Sequence, residues 1–139
     1  MKIYATRKFE FEACHYLPNY KGDCANLHGH SYKLEVTFSR NLEAETLGND
    51  EYFPKPYSMV IDFKEIDHIV TVEVLNDFDH THLNKIVAVP TAEALAVNIY
   101  NRIHRHIELA HDLVEEGLKL EEVKLWETSN SYVTYRGEE

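Results

Sequence analysis

The stretch Cys24-Ala25-Asn26-Leu27-His28-Gly29-His30-Ser31-Tyr32-Lys33-Leu34-Glu35-Val36-Thr37-Phe38 decides how this chain reads. From His30 onward, Tyr32, Leu34, Val36 and Phe38 fall on one face, and Ser31, Lys33, Glu35 and Thr37 on the other. A period of two with one apolar side predicts a half-buried strand. His28 and His30 stand two apart at its mouth, so their side chains share a face. Gly29 between them is expected to let the backbone bend and to leave room for an ion.

Working upstream, Phe9, Phe11 and Ala13 alternate with Glu10, Glu12 and Cys14, which predicts a strand near residues 2–13 with His15 at its end. Leu17 to Asn26, with Pro18, Asn19 and Gly22, reads as a loop. If the two strands pair as a hairpin closed by residues 16–27, His15 arrives beside His28 and His30. Three imidazoles with one position left open is the ligand set of catalytic zinc. Nitrogen donors favour zinc over calcium or magnesium. A His-x-His pair alone describes equally well two imidazoles facing water; His15 and the nearby Cys24 are what favour a metal. In a regular strand Cys14 points away from His15 and reads as a small core residue. Cys24 can close the site as a fourth ligand, or act as a base whose thiol a neighbouring cation acidifies. Spacing leaves both roles open.

Working downstream, residues 41–58 contain Gly48, Asn49, Asp50, Pro54 and Pro56 and read as a long loop. Asp62, with Glu65 three residues on, predicts a helix start. Phe63, Ile66, Ile69, Val70 and Val74 form that helix's apolar stripe. Thr91, after Pro90, predicts a second start, and Leu95, Ile99, Ile103 and Ile107 recur every fourth residue. Gly117 punctuates the exit. Val123 to Glu127 and Tyr132 to Arg136 read as a hairpin around Ser129-Asn130. The order strand, strand, helix, helix, strand, strand predicts an α+β domain over residues 1–139, an antiparallel sheet with both helices on one face.

Composition narrows the function. With 14 basic against 24 acidic residues the net charge is −10. Nucleic-acid binding rests on Lys and Arg contacts to phosphate, so this balance argues against it. Two cysteines are too few for a disulfide framework. No apolar run approaches membrane-helix length, and Met1 to Lys8 lacks a signal-peptide stretch, so the expected compartment is the cytoplasm. Nine histidines in 139 residues is a high count, and histidine is both metal ligand and proton shuttle.

Six ordered motifs then carry a resemblance: Phe11-Glu12-Ala13-Cys14-His15, Cys24-x-x-x-His28-Gly29-His30-Ser31, Ile61-Asp62-Phe63, Asp79-His80, Pro90-Thr91-x-Glu93, and Glu127-Thr128 through Tyr135-Arg136-Gly137-Glu138. Together they resemble the 6-pyruvoyltetrahydropterin synthase / 6-carboxytetrahydropterin synthase family along nearly the whole chain. The resemblance implies a tunnelling fold (T-fold): a four-stranded antiparallel sheet with two helices on one face, three subunits closing a barrel, two trimers stacking into a hexamer, and active sites between subunits. It implies one Zn²⁺ per subunit on His15, His28 and His30, and 7,8-dihydroneopterin triphosphate as the substrate. Cys24 resembles the family's proton-abstracting cysteine, His80 its acid/base and Asp79 the carboxylate orienting it. As a loop pair alone, Asp79-His80 also reads as an ordinary turn, and His82 as surface.

Glu127 shares a strand face with Val123 and Leu125, where an unpaired carboxylate is costly. A pterin ring presents an amino group and a ring N–H side by side, which one carboxylate accepts in bidentate fashion. The resemblance assigns that anchoring role to Glu127, with Thr91 and Glu93 assisting. Otherwise, a cross-sheet ion pair explains Glu127, helix capping explains Thr91, and the helix dipole explains Glu93. For the triphosphate, Lys8, Lys21, Lys33 and Lys85 are candidates that spacing does not separate. The three-residue gap between Cys24 and His28, and Ile61-Asp62-Phe63, resemble the carboxy branch, which releases acetaldehyde towards queuosine and other deazapurines. The pyruvoyl reaction, and a non-catalytic zinc- and pterin-binding module, are the alternatives.

Overall fold

The computed structural model describes residues 1–53 and 58–138. Its frame is a long hairpin, β1 (Lys2–His15) and β2 (His28–Asn41), paired antiparallel from Lys2↔Asn41 to His15↔His28. Both strands run further than the alternation alone marks, because each residue of one finds a ladder partner in the other. Within the expected 41–58 loop, short turns occupy Ala44–Thr46 and Asp50–Tyr52; residues 54–57 lie outside the described residues.

Helix α1 (Phe63–Val70) starts where the Asp62 carboxylate accepts from the Lys64 amide at 2.8 Å. It continues through a wider π turn at Thr71–Leu75 into a last turn, α2 (Asn76–Phe78). Ile66, Ile69, Val70 and Val74 are buried as the stripe predicts. Phe63 departs from that stripe: it is half exposed, beneath the Arg7 guanidinium, which also forms a two-pronged pair with Asp67. A first-turn side chain overhangs the sheet edge, so its position on the helical wheel does not guarantee a packing partner.

Helix α3 (Ala92–Leu109) is capped by Thr91, whose Oγ1 accepts from the Ala94 amide at 3.1 Å. Leu95, Ile99, Ile103 and Ile107 are all buried. A short α4 (His111–Glu115) follows, and Gly117, at φ 81°, turns the chain into the last hairpin. That hairpin is β4 (Lys119–Thr128) and β5 (Ser131–Tyr135). The helices cover the sheet face carrying Phe11, Tyr32, Leu34, Val36, Phe38, Val123 and Leu125 in one core.

The sheet has five strands rather than four, in the order β3-β1-β2-β4-β5. The extra one, β3 (Thr81–His82), pairs parallel with β1 at Ala13 and Cys14. Two residues carry no detectable periodicity, and their pairing is with a strand some 70 positions away. Among the described residues no helix is long and apolar enough to cross a membrane.

Candidate metal centre

Ladder register brings the histidines together. His15 pairs with His28 and Ala13 with His30, so all three imidazoles stand on the helix-facing side of the sheet at its open end. One ring nitrogen from each lies within 4.8 Å of the others, and among the described residues this is the single group of metal-ligand type. His15 Nδ1 donates to the Pro90 carbonyl at 2.8 Å, and His28 Nδ1 donates to the Asn26 carbonyl at 2.7 Å. These bonds place the ring protons on Nδ1 in the neutral rings. The two Nε2 lone pairs then confront each other at 3.2 Å. That is repulsive without a cation between them and is the usual arrangement of ligands held by backbone carbonyls behind a metal.

His30 supplies a third independent sign. Its Nε2 is buried without a hydrogen-bond partner; the Glu127 carboxylate is 3.7 Å away, too long for a bond. Burial lowers the His30 pKa from its ordinary value, and His15 and His28 add to this, while Glu127 opposes it. A neutral imidazole is the form a metal binds. Three converging nitrogens, two with fixed tautomers and one orphaned in the interior, fit zinc by donor chemistry and number.

Gly29 contributes differently from its sequence reading. It sits within the regular ladder opposite Cys14, and a Cβ there would meet only the Ala13 carbonyl at an ordinary 3.6 Å. Its side-chain direction faces away from the histidines, so the space between the rings owes nothing to it.

Cys24 lies half-buried in the turn Asp23–Ala25, its carbonyl accepting from the Leu17 amide at 2.8 Å. Its sulfur is outside the three-nitrogen group. Glu127 stands at an irregularity between Trp126 and Thr128, on the core face near His30, partly open to solvent. Thr91 commits its hydroxyl to the α3 cap, and Glu93 is exposed in the first turn.

Asp79 and His80 lie at the other edge of β1. The Glu12 amide donates to Asp79 Oδ1 at 2.9 Å, and the His80 amide donates to the Glu12 carbonyl. The Asp79 carboxylate pairs with His80 Nδ1 at 3.0 Å. The Glu12 amide first, and then His80, hold the Asp79 carboxyl below its ordinary pKa despite some desolvation. His80 is 79% exposed, with a left-handed backbone at φ 57°. It opens onto a shallow depression of about 450 Å³ whose lining includes Glu12, Cys14, Ser31 and His82 of the outer sheet face, and also His30. His80 and the ligand His30 thus border one depression, although strand alternation sends the His30 imidazole to the helix-facing side.

Other expectations are corrected here. Cys14 is half-buried beside Gly29 and His82 rather than in the core, because it takes the outer face of β1. His82 is half-buried with an unpartnered Nε2, not simply on the surface. Lys8 and Lys33 flank a depression of about 470 Å³ that also includes Glu35 and Trp126, on that same outer face. Sequence reasoning missed Tyr32 as a neighbour of the metal centre. It is fully buried, stacked on Phe11 at 4.9 Å, with its hydroxyl 3.5 Å from His15 Nδ1. Burial, with Glu127 and Cys14 adding, pushes its pKa well above the usual phenol range. Its place two residues after His30 is the signal that pointed there.

An α+β chain whose sheet ends in a three-histidine centre is the class that fold and site define. The chain belongs to the 6-pyruvoyl tetrahydropterin synthase family, whose model matches residues 4–138. It is 31% identical to a 6-carboxy-5,6,7,8-tetrahydropterin synthase of Haemophilus influenzae, covering 94% of this chain and 96% of that one. With the enzyme of the same name from Aquifex aeolicus it shares 38% identity, over 83% of this chain and 76% of the other. The solved 6-pyruvoyl tetrahydropterin synthase of Caenorhabditis elegans superposes with a TM-score of 0.76 at 22% identity, covering 99% and 97%. The chain is thus a T-fold, with the short parallel β3 added, among the described residues, to the four antiparallel strands.

Proposed function

We propose that this chain is a zinc-dependent carbon–carbon lyase, 6-carboxytetrahydropterin synthase. It converts 7,8-dihydroneopterin triphosphate and one water to 6-carboxy-5,6,7,8-tetrahydropterin, with release of acetaldehyde and triphosphate, on the way to queuosine-type deazapurines. The observation that carries this reading is the convergence of His15, His28 and His30 with their Nδ1 protons turned away. The carboxy product is favoured by the relatives at 31% and 38% identity and by the short Cys24-to-His28 spacing.

His15, His28 and His30 hold the ion, and Zn²⁺, when bound, supplies Lewis acidity to a substrate oxygen and so acidifies the adjacent C–H. Cys24, as thiolate, takes that proton. Glu127 accepts from the pterin amino group and ring N–H, which fixes the ring's angle at the mouth of the centre. Thr91 and Glu93, at the start of α3, border the same end. His80 returns a proton elsewhere on the side chain, with Asp79 fixing its tautomer. Because the His80 ring is largely exposed at the edge of β1, we assign the pair to a centre on another copy, and the working unit is then a cytoplasmic homo-oligomer, a trimer or hexamer. Residues 1–139 act in it as one domain.

The test is turnover by the zinc-loaded protein supplied with dihydroneopterin triphosphate. Acetaldehyde in step with triphosphate is the expected result. Triphosphate alone would transfer the chain to the pyruvoyl reaction, and neither product would leave a binding module.

A further inference from the structure

β1 ends at His15, yet the chain beyond it is held as if the sheet continued. Tyr16 has no β2 partner, since β2 begins opposite His15. On the other side β3 stops at His82. The next position beyond buried Leu83 is Asn84, and its carboxamide takes both main-chain groups of Tyr16. Asn84 Oδ1 accepts from the Tyr16 amide at 3.0 Å, and Asn84 Nδ2 donates to the Tyr16 carbonyl at 2.9 Å. Nδ2 also reaches the Ala88 carbonyl at 3.4 Å. One side chain thus imitates a strand residue and extends the parallel β3–β1 ladder by a step.

What surrounds Tyr16 gives that clamp a consequence. His15, immediately before it, has its ring turned by the Pro90 carbonyl, which belongs to the same 83–90 segment that Asn84 ties to β1. Leu17, immediately after, receives Cys24: the Leu17 amide donates to the Cys24 carbonyl at 2.8 Å. Asn84 therefore joins the one segment that sets the His15 tautomer to the one loop that carries the thiol. Beyond the end of β2, and among the described residues, the Asn84 carboxamide is what pairs with both Tyr16 backbone groups, so its loss frees the hinge between ligand and loop.

We infer that Asn84 is a positioning residue for the metal centre, holding His15 on its Pro90 carbonyl and keeping Cys24 at a fixed distance from it. This rests on the zinc reading above and names a residue that acts through two others without touching metal or substrate. A hydrogen bond made directly to a ligand, as Pro90 makes to His15, is typically worth 10- to 100-fold in metal affinity or activity, and Asn84, one bond further out, is expected to be worth less, up to about 10-fold.

The experiment compares zinc dissociation constants of the full chain, Asn84→Ala and Asn84→Asp, by competition with a chromophoric chelator. kcat and KM of each are measured at saturating zinc, and the thermal midpoint in chelator. Asn84→Ala is expected to weaken zinc by several-fold, up to about 10-fold, and to lower kcat more than it raises KM. Asn84→Asp, which keeps the acceptor for the Tyr16 amide and loses the donor, is expected to fall between. Unchanged zinc affinity and kcat in either folded variant, even with a lower thermal midpoint, would make Asn84 merely structural and overturn the inference. If Asn84→Ala does not fold, Asn84→Asp decides by the same two readings. Failure of the unsubstituted chain to bind zinc would instead strike the proposed function, so the two failures are told apart.

Discussion

Replacing His30 by leucine should strengthen the metal-free protein while destroying its metal site. The reasoning starts from His30 Nε2, a buried nitrogen with no hydrogen-bond partner when no ion is present. Such an atom costs about 1–3 kcal/mol, and exchanging its side chain for an apolar one of similar size removes that cost. His30 is 17% exposed, so the lower part of the range applies, about 1–2 kcal/mol. For a chain of 139 residues this corresponds to a rise of roughly 3–7 °C in thermal midpoint. Zinc reverses the order. At a free concentration a hundred times its dissociation constant, zinc stabilises the unsubstituted protein by about 2.7 kcal/mol, and the variant, with two ligands left, gains little of this. The assay is thermal unfolding of both proteins in chelator and in excess zinc. Two crossed results are expected: His30→Leu melts higher in chelator and lower in zinc. If His30→Leu melts lower in chelator as well, His30 Nε2 has a polar partner in the free protein, and the case that this nitrogen waits for a cation is refuted.

Three further outcomes follow from other contacts. Cys24→Ala should abolish turnover and leave zinc stoichiometry intact, since its sulfur lies outside the three-nitrogen group; metal loss on elemental analysis would make Cys24 a ligand. Glu127→Ala should weaken binding of a dihydropterin by roughly 10- to 100-fold, the worth of about 1.5–3 kcal/mol for bonds to a charged acceptor; unchanged affinity by titration calorimetry would assign Glu127 to structure. Burial works to raise the Glu121 carboxyl, but hydrogen bonds from Lys2 and Ser39 outweigh it and hold its pKa below the ordinary 4.5. A depressed carboxylate contributes stability that is present above the unfolded pKa and is lost as pH falls through the folded value. Denaturant midpoints should therefore drop below about pH 4.5, and Glu121→Gln should flatten that part of the profile.

Local pattern accounts for much of the fold because it needs only neighbours along the chain. Tyr32, Leu34, Val36 and Phe38 are all fully buried, as their alternation demands, since pleating sends every second side chain to one face. Leu95, Ile99, Ile103 and Ile107 follow from helical repeat in the same way. The meeting of His15 with His28 and His30 was also legible, because both strands must turn their alternating apolar faces to one core, which restricts their register. Phe63 shows the limit: helical phase names the stripe, but whether anything lies beneath a first-turn residue depends on where the sheet ends.

By itself, the sequence determined the alternating hairpin, the two capped helices, the trio of imidazoles and membership of a family. Only the tertiary structure decided that Thr81–His82 joins the sheet, that Pro90 and Asn26 carbonyls take the Nδ1 protons, that Asn84 completes a ladder at Tyr16, and that Asp79 is tied to the edge of β1 at Glu12. The division has one physical cause. Periodicity and register are set by bonds between near neighbours, whereas a ring's tautomer or a carboxamide's partner is set by whichever backbone the remaining chain brings within hydrogen-bonding distance.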